Sequence, residues 1–207
     1  MFEAIIFDVD GTIIDTELAM LNSLQRTLHE EKQQLVTHDE IKFILGIPGK
    51  DALRMMNLEP VDELHQIWSN AVLDFFQDVN VFEGMYETLD KLKKKGIKLA
   101  IVTSKTKESM KDEFAPFQLN HLFVDMIDAD DTDEHKPHPK PLLTSLEHLN
   151  LTANQAIYIG DSIYDMQSAH AAGMKFALAF WGAKKTEEFE AADYILKEPA
   201  DLLNLVE

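Results

Sequence analysis

The 207-residue sequence contains no cysteine, which excludes disulfides, thiolate metal sites and a cysteine nucleophile together. It also lacks any run of about 18 apolar residues, the length a membrane-spanning helix requires. Basic residues are few: 19 Lys+Arg face 37 Asp+Glu, giving a formal net charge of −18. A surface of that sign repels phosphate backbones, so nucleic acid is not an expected partner. The stretch from Met1 to Asp10 has no basic segment and meets two carboxylates at once, unlike a secretory signal. Internal repeats, low-complexity tracts and oligomerisation signals are missing as well. These absences lead to the expectation of a cytoplasmic protein without membrane association, and they leave its oligomeric state open.

What is present is a hydrophobic fraction of 45%, in the range that builds a buried core. The length suits one domain, or one domain carrying a sizeable insertion. Short apolar runs at residues 4–7, 97–102, 156–159 and 174–180 read as buried strands. Between and after them, residues 85–95, 106–114, 139–149 and 162–172 carry helical patterns, with Gly96 and Gly173 as stops. Strands alternating with helices predict an α/β fold, a doubly wound, Rossmann-like parallel sheet covered on both faces. Residues 16–80 differ. Leu18, Leu21, Leu24 and Leu28 recur at helical spacing, as do Leu64, Ile67, Trp68, Ala71, Val72, Phe75 and Phe76, with no strand signal between. The expected organisation is therefore a core of residues 1–15 and 81–207 with a helical insertion at 16–80. Loops leaving the C-terminal ends of parallel strands are where ligands bind in such sheets.

Four segments carry chemistry. Asp8 and Asp10 end the first apolar run, where two carboxylates are costly unless something neutralises them. Gly11 permits a turn that brings Asp10 round, so that one carboxylate serves as nucleophile and metal ligand and the other moves a proton. The ordinary alternative is a solvated turn. Asp161 and Asp165 follow the third run; hard oxygen ligands from two strand ends suit Mg²⁺. Asp161 is the better ligand candidate, or else a helix N-cap, and Asp165 would hold a water ligand or orient a lysine. Thr103 and Ser104 end the second run before a helix, as a phosphate clamp or simply as caps. Lys136 sits among Pro137, Pro139 and Pro141, a positioned cation able to neutralise Asp8 and phosphoryl oxygens. Four strand ends are thus expected to place all these groups at one sheet edge.

In this order the residues resemble the haloacid dehalogenase-like hydrolase superfamily, over nearly the whole chain. The run from Phe7 to Thr16, followed by helices, is similar to the branch whose helical cap is inserted after the first strand. Gly96 to Lys105 and Tyr158 to Asp165 most resemble phosphoglycolate phosphatases and the related pyrophosphatases. The resemblance implies hydrolysis of a small phosphorylated metabolite through an aspartyl-phosphate on Asp8. It further implies Asp10 as general acid and then base, with its backbone carbonyl on Mg²⁺. Thr103, with Ser104 adjacent, would hold the phosphoryl oxygens, and Lys136 would stabilise nucleophile and transition state. Asp161 would complete a metal site with Asp8 and Asp10, supported by Asp165.

Related β-phosphoglucomutases usually carry a cap histidine where this chain has Leu18, Ala19 and Met20, which counts against a phosphosugar mutase. Position 104, commonly Asn in phosphoglycolate phosphatases, is Ser. A receiver-type phosphoacceptor module fits the order of acids poorly, and intact Asp8, Asp10, Lys136 and Asp161 argue against a non-catalytic phosphate-binding protein. Lys50 and Arg54 are the compact basic feature of the insertion, facing a substrate anion or merely solvent.

Overall fold

The computed structural model describes residues 2–183 and 186–206. The chain divides into two compact units, residues 1–15 with 81–207, and residues 16–80. It runs through β1 (Ala4–Phe7) and the short β2 (Ile14–Asp15) into α1 (Glu17–Lys32), α2 (His38–Ile41), α3 (Gly49–Met55) and α4 (Val61–Leu73). After β3 (Asn80–Val81) come α5 (Met85–Lys94), β4 (Lys98–Val102), α6 (Lys107–Ser109) and β5 (Asp125–Ile127). Then follow α7 (Lys140–Leu149), β6 (Ala156–Gly160), α8 (Ile163–Ala171), β7 (Lys175–Ala179), α9 (Phe180–Ala183) and β8 (Tyr194–Leu196).

In the first unit six strands form one sheet in the order β5-β4-β1-β6-β7-β8. Every pairing is parallel. β1 is central and wholly buried, as an apolar strand covered on both faces must be. From β1 the chain winds outward through β4 and β5, then crosses back to β6 on the other side. In sheets of this kind ligands bind beside such a reversal. Phe7 aligns with both Ile101 and Ile159, so Asp8, Thr103 and Asp161 emerge from neighbouring strands at one edge.

Alternation along the strands separates the two layers. Ala4, Ile6, Ala100, Val102 and Tyr158 pack with Leu142 and Leu146 of α7 and Met166 and Ala169 of α8. On the opposite face the Phe7 ring meets Phe123 edge-on, 6.2 Å between centroids.

Four of the six strands, β1, β4, β6 and β7, match the predicted apolar runs. β5 and β8 are three-residue edge strands, partly exposed, with Asp125 interrupting the apolar pattern in β5. The predicted helix over 106–114 is α6 followed by a π-helical turn, Met110–Phe114.

The second unit is helical. Leu21, Leu24 and Leu28 of α1 are buried, as are Leu64, Trp68, Ala71 and Val72 of α4. Trp68 Nε1 donates to Ser23 Oγ at 3.0 Å, satisfying both polar groups inside this packing. Leu18 departs from the predicted stripe and is exposed. Phe75 and Phe76 lie beyond the end of α4. Lys50 pairs with Asp62 at 2.7 Å and Arg54 with Asp51 at 2.6 Å, both on exposed helix surface. Among the described residues no helix is long and apolar enough to cross a membrane.

Ile6 is fully buried in the central strand. Ile6→Ala is expected to cost about 2–5 kcal/mol, through lost burial and the cavity left behind. Urea denaturation measures this, and an unchanged midpoint contradicts the packing described.

Candidate active site

Asp8 extends β1 by one ladder bond, its N–H donating to Ile159 O at 2.9 Å. The chain then turns tightly: the N–H groups of Thr12, Ile13 and Ile14 all converge on Val9 O, at 3.3, 2.8 and 3.1 Å. Gly11 adopts φ 70°, the left-handed region that suits glycine. A second constraint acts there, because a Cβ on Gly11 would fall 2.1 Å from Asp161 Oδ2. Trp181 of α9 pins the same turn, its Nε1 donating to Thr12 O at 2.9 Å.

Lys136 reaches this turn from the loop after β5, nine residues beyond the strand's end, and is buried. Its Nζ lies 2.9 Å from Asp8 Oδ1 and 2.7 Å from Asp165 Oδ1, and it donates to the Tyr158 hydroxyl at 3.1 Å. Burial alone disfavours the ammonium, but the charges of Asp165 and Asp8 outweigh it and hold the Lys136 pKa above its ordinary value. Asp165 is fully enclosed, and its other oxygen accepts from Ser162 N–H at 3.0 Å and Ser162 Oγ at 2.6 Å. Asp165 is therefore the group that orients the lysine. Gly160 makes room for it, since a Cβ there would lie 2.5 Å from Asp165 Cγ.

Asp161 is half-buried beside the Gly11 turn, and Thr12 Oγ1 donates to it at 3.5 Å. It does not cap α8; Ser162 does, accepting from Asp165 N–H. Burial, reinforced by the charges of Asp165 and Asp8, pushes the Asp161 pKa well above the carboxylate range. Burial likewise raises the Asp8 pKa from 3.8 to about 7, helped by the charges of Asp165 and Asp10 and opposed by that of Lys136.

Thr103 is buried at the tip of β4, its N–H bonded to Ile127 O at 3.0 Å, and Ser104 beside it is half-buried. They precede the helix, as expected, but do not cap it. Thr106 caps α6, accepting from Ser109 N–H at 3.2 Å, so no helix N-terminus lies at Thr103. Thr103 Oγ1 instead accepts from Lys105 N–H at 3.2 Å.

Two groups escaped the sequence reading. Lys105 is buried, 3.1 Å from Asp10 Oδ2, and also paired with Glu113. Tyr158 donates from its hydroxyl to Val102 O at 2.8 Å and lies 3.1 Å from Asp165 Oδ1. The basic tail of β4 and the inward-facing period of β6 were the available signals.

Oxygen atoms of Asp8, Asp161 and Asp165 lie within 4.8 Å of one another, an all-oxygen set of the kind hard divalent cations take. Asp10 Oδ1 is buried without a hydrogen-bond partner, and Asp8 Oδ1 has the Lys136 ammonium at 2.9 Å as its counter-charge. Among the described residues Asp161 is in no lysine ion pair, and an all-oxygen set short of positive charge fits Mg²⁺. Asp165 is committed to protein donors, which leaves Asp8 and Asp161 as the available carboxylates.

Gly11→Ala is expected to destabilise by about 1–3 kcal/mol, from the left-handed backbone and the crowding of Asp161. Thermal melting tests this; a wild-type midpoint contradicts it. The Asp8 shift sets a pH dependence. The folded protein binds that proton more tightly than the unfolded chain, a stabilisation complete below pH 3.8 and lost as pH rises through about 7. A proton and Mg²⁺ would compete for this carboxylate. Mg²⁺ affinity, measured by thermal shift, is expected to be about tenfold weaker at pH 6 than at pH 8. Equal affinities would refute the competition.

The haloacid dehalogenase-like hydrolase family matches residues 5–179. A pyrophosphatase PpaX from Bacillus velezensis is 32% identical over 206 residues, covering 98% of this chain and 95% of that protein. A protein of Caldanaerobacter subterraneus subsp. tengcongensis, provisionally given the same name, is 31% identical over 98% of this chain and 94% of its own. The crystal structure of a Lactobacillus plantarum protein, provisionally named a phosphoglycolate phosphatase, superposes with TM-score 0.92 at 25% identity, covering 99% of each chain. With this match across the sheet and its strand-tip acids, the chain belongs to the haloacid dehalogenase-like hydrolase family.

Proposed function

We propose that this chain is a Mg²⁺-dependent phosphatase that hydrolyses a small phosphorylated metabolite, with Asp8 as nucleophile. The observation that carries this reading is the buried Asp8 carboxylate, 2.9 Å from Lys136 and grouped within 4.8 Å of carboxylate oxygens from Asp161 and Asp165. In the first step an Asp8 oxygen attacks phosphorus and the bond from phosphorus to the leaving oxygen breaks. Asp10 gives its proton to that oxygen, so the alcohol departs neutral and Asp8 carries the phosphoryl group. Water then attacks the same phosphorus, Asp10 takes its proton, and the bond to Asp8 breaks to release phosphate.

Thr103 and Ser104 hold phosphoryl oxygens, and Lys136 orients Asp8 and balances developing charge. A Mg²⁺ held by Asp8, Asp161 and the Asp10 backbone carbonyl would supply the positive charge that phosphoryl oxygens need. Asp165 supports both the lysine and the metal site. Residues 16–80 are the substrate-selecting cap in this reading, and the setting is cytoplasmic. Phosphoglycolate-like esters are the first substrate class expected. The names carried by the relatives at 31% and 32% identity favour pyrophosphate as a second.

Purified protein with Mg²⁺ is expected to release phosphate from p-nitrophenyl phosphate, and Asp8→Asn to reduce turnover to background. A screen of phosphoglycolate, pyrophosphate, sugar phosphates and nucleotides then ranks substrates. Absence of turnover on all of them by metal-loaded protein refutes the assignment.

A further inference from the structure

Asp10 does not meet Lys136; the cation beside it is Lys105, at 3.1 Å from Oδ2. Lys105 is held on every side. Its N–H donates to Thr103 Oγ1 at 3.2 Å, and its carbonyl accepts from Ala129 N–H at 2.8 Å. Its ammonium is gripped from behind by Glu113, and both side chains are 6% exposed. Glu113 lies within the π-helical turn Met110–Phe114, a winding found disproportionately at functional sites.

An enclosed ion pair of this kind is a poor device for stability, because apolar side chains of equal volume often serve as well or better. Its geometry is directional, however. Glu113 restrains the lysine, the lysine restrains one oxygen of Asp10, and Oδ1 of Asp10 is left without a protein partner. A carboxyl that must transfer a proton needs that combination of fixed orientation and spare hydrogen-bonding capacity.

We propose that Lys105, anchored by Glu113, is the positioning residue that aims the Asp10 carboxyl at the leaving-group oxygen. This rests on the acid–base role given to Asp10 above. Neither residue touches the phosphoryl group; they act through Asp10. Their importance therefore scales with how much the departing oxygen needs a proton. Phenol leaves poorly without one, whereas p-nitrophenol leaves readily, and the two esters are nearly the same shape.

The test compares kcat/KM for phenyl phosphate and p-nitrophenyl phosphate, a ratio that reports the step forming the aspartyl-phosphate. Lys105→Met is expected to lower the phenyl phosphate value about tenfold more than the p-nitrophenyl phosphate value. Glu113→Gln shifts it in the same direction, and Lys105→Arg recovers part of the loss. Should Lys105→Met fold poorly, pairing it with Glu113→Gln removes the stranded buried charge and must show the same selective loss. Equal losses on both esters, or none, overturn the positioning role. Asp10→Asn separates the two levels of inference. If it shows the leaving-group dependence and Lys105→Met does not, the positioning role alone falls; if Asp10→Asn lacks it, the acid–base assignment falls as well.

Discussion

A single buried ammonium organises the sheet edge. Lys136 Nζ lies 2.9 Å from Asp8 and 2.7 Å from Asp165, with the Tyr158 hydroxyl as a third partner. Without it two enclosed carboxylates would face one another in a medium where unpaired charge costs several kcal/mol. The restraint works backward through the fold as well. Asp165 holds the lysine with one oxygen and caps α8 through Ser162 with the other, so the start of that helix and the orientation of Asp8 are set by one side chain.

Backbone geometry makes this convergence possible. Parallel pairing in register brings β1, β4 and β6 to one edge, and the winding reverses beside β1, where ligands bind in such sheets. Two glycines then let acids approach backbone closely: Gly11 yields to Asp161, and Gly160 yields to Asp165. The −18 chain thus places much of its interior negative charge in one small volume.

The parts legible in the sequence were those with strong local signatures. Fully buried strands such as β1 and β6 are unbroken apolar runs, and an Asp following such a run stands out because desolvation makes it expensive. The edge strands β5 and β8 were illegible because three half-exposed residues carry no periodicity. Lys136 was recognised while the strand that precedes its loop was not. Lys105 and Glu113 went unnoticed for a different reason. Eight residues apart, they meet across a segment that passes from α to π winding, and no helical periodicity announces that passage. Asp161 and Thr103 each had an ordinary capping explanation, and the structure gives the caps to Ser162 and Thr106 instead.

Two lysines divide the electrostatic labour. Lys136 serves Asp8 and Asp165, Lys105 serves Asp10 and Glu113, and Asp161 has no lysine within ion-pair range among the described residues. Five carboxylates thus face two ammonium groups, a formal charge of −3 if all are ionised. A phosphate ester approaching that cluster would be repelled, as it would be by the molecule as a whole. Burial first, and then the crowding of negative charge, raises the pKa values of Asp8 and Asp161. A proposed divalent cation relieves the imbalance where it is worst, beside the one acid without a lysine. In the proposed mechanism a divalent cation would therefore offset the excess of buried carboxylate before an anionic substrate could approach it.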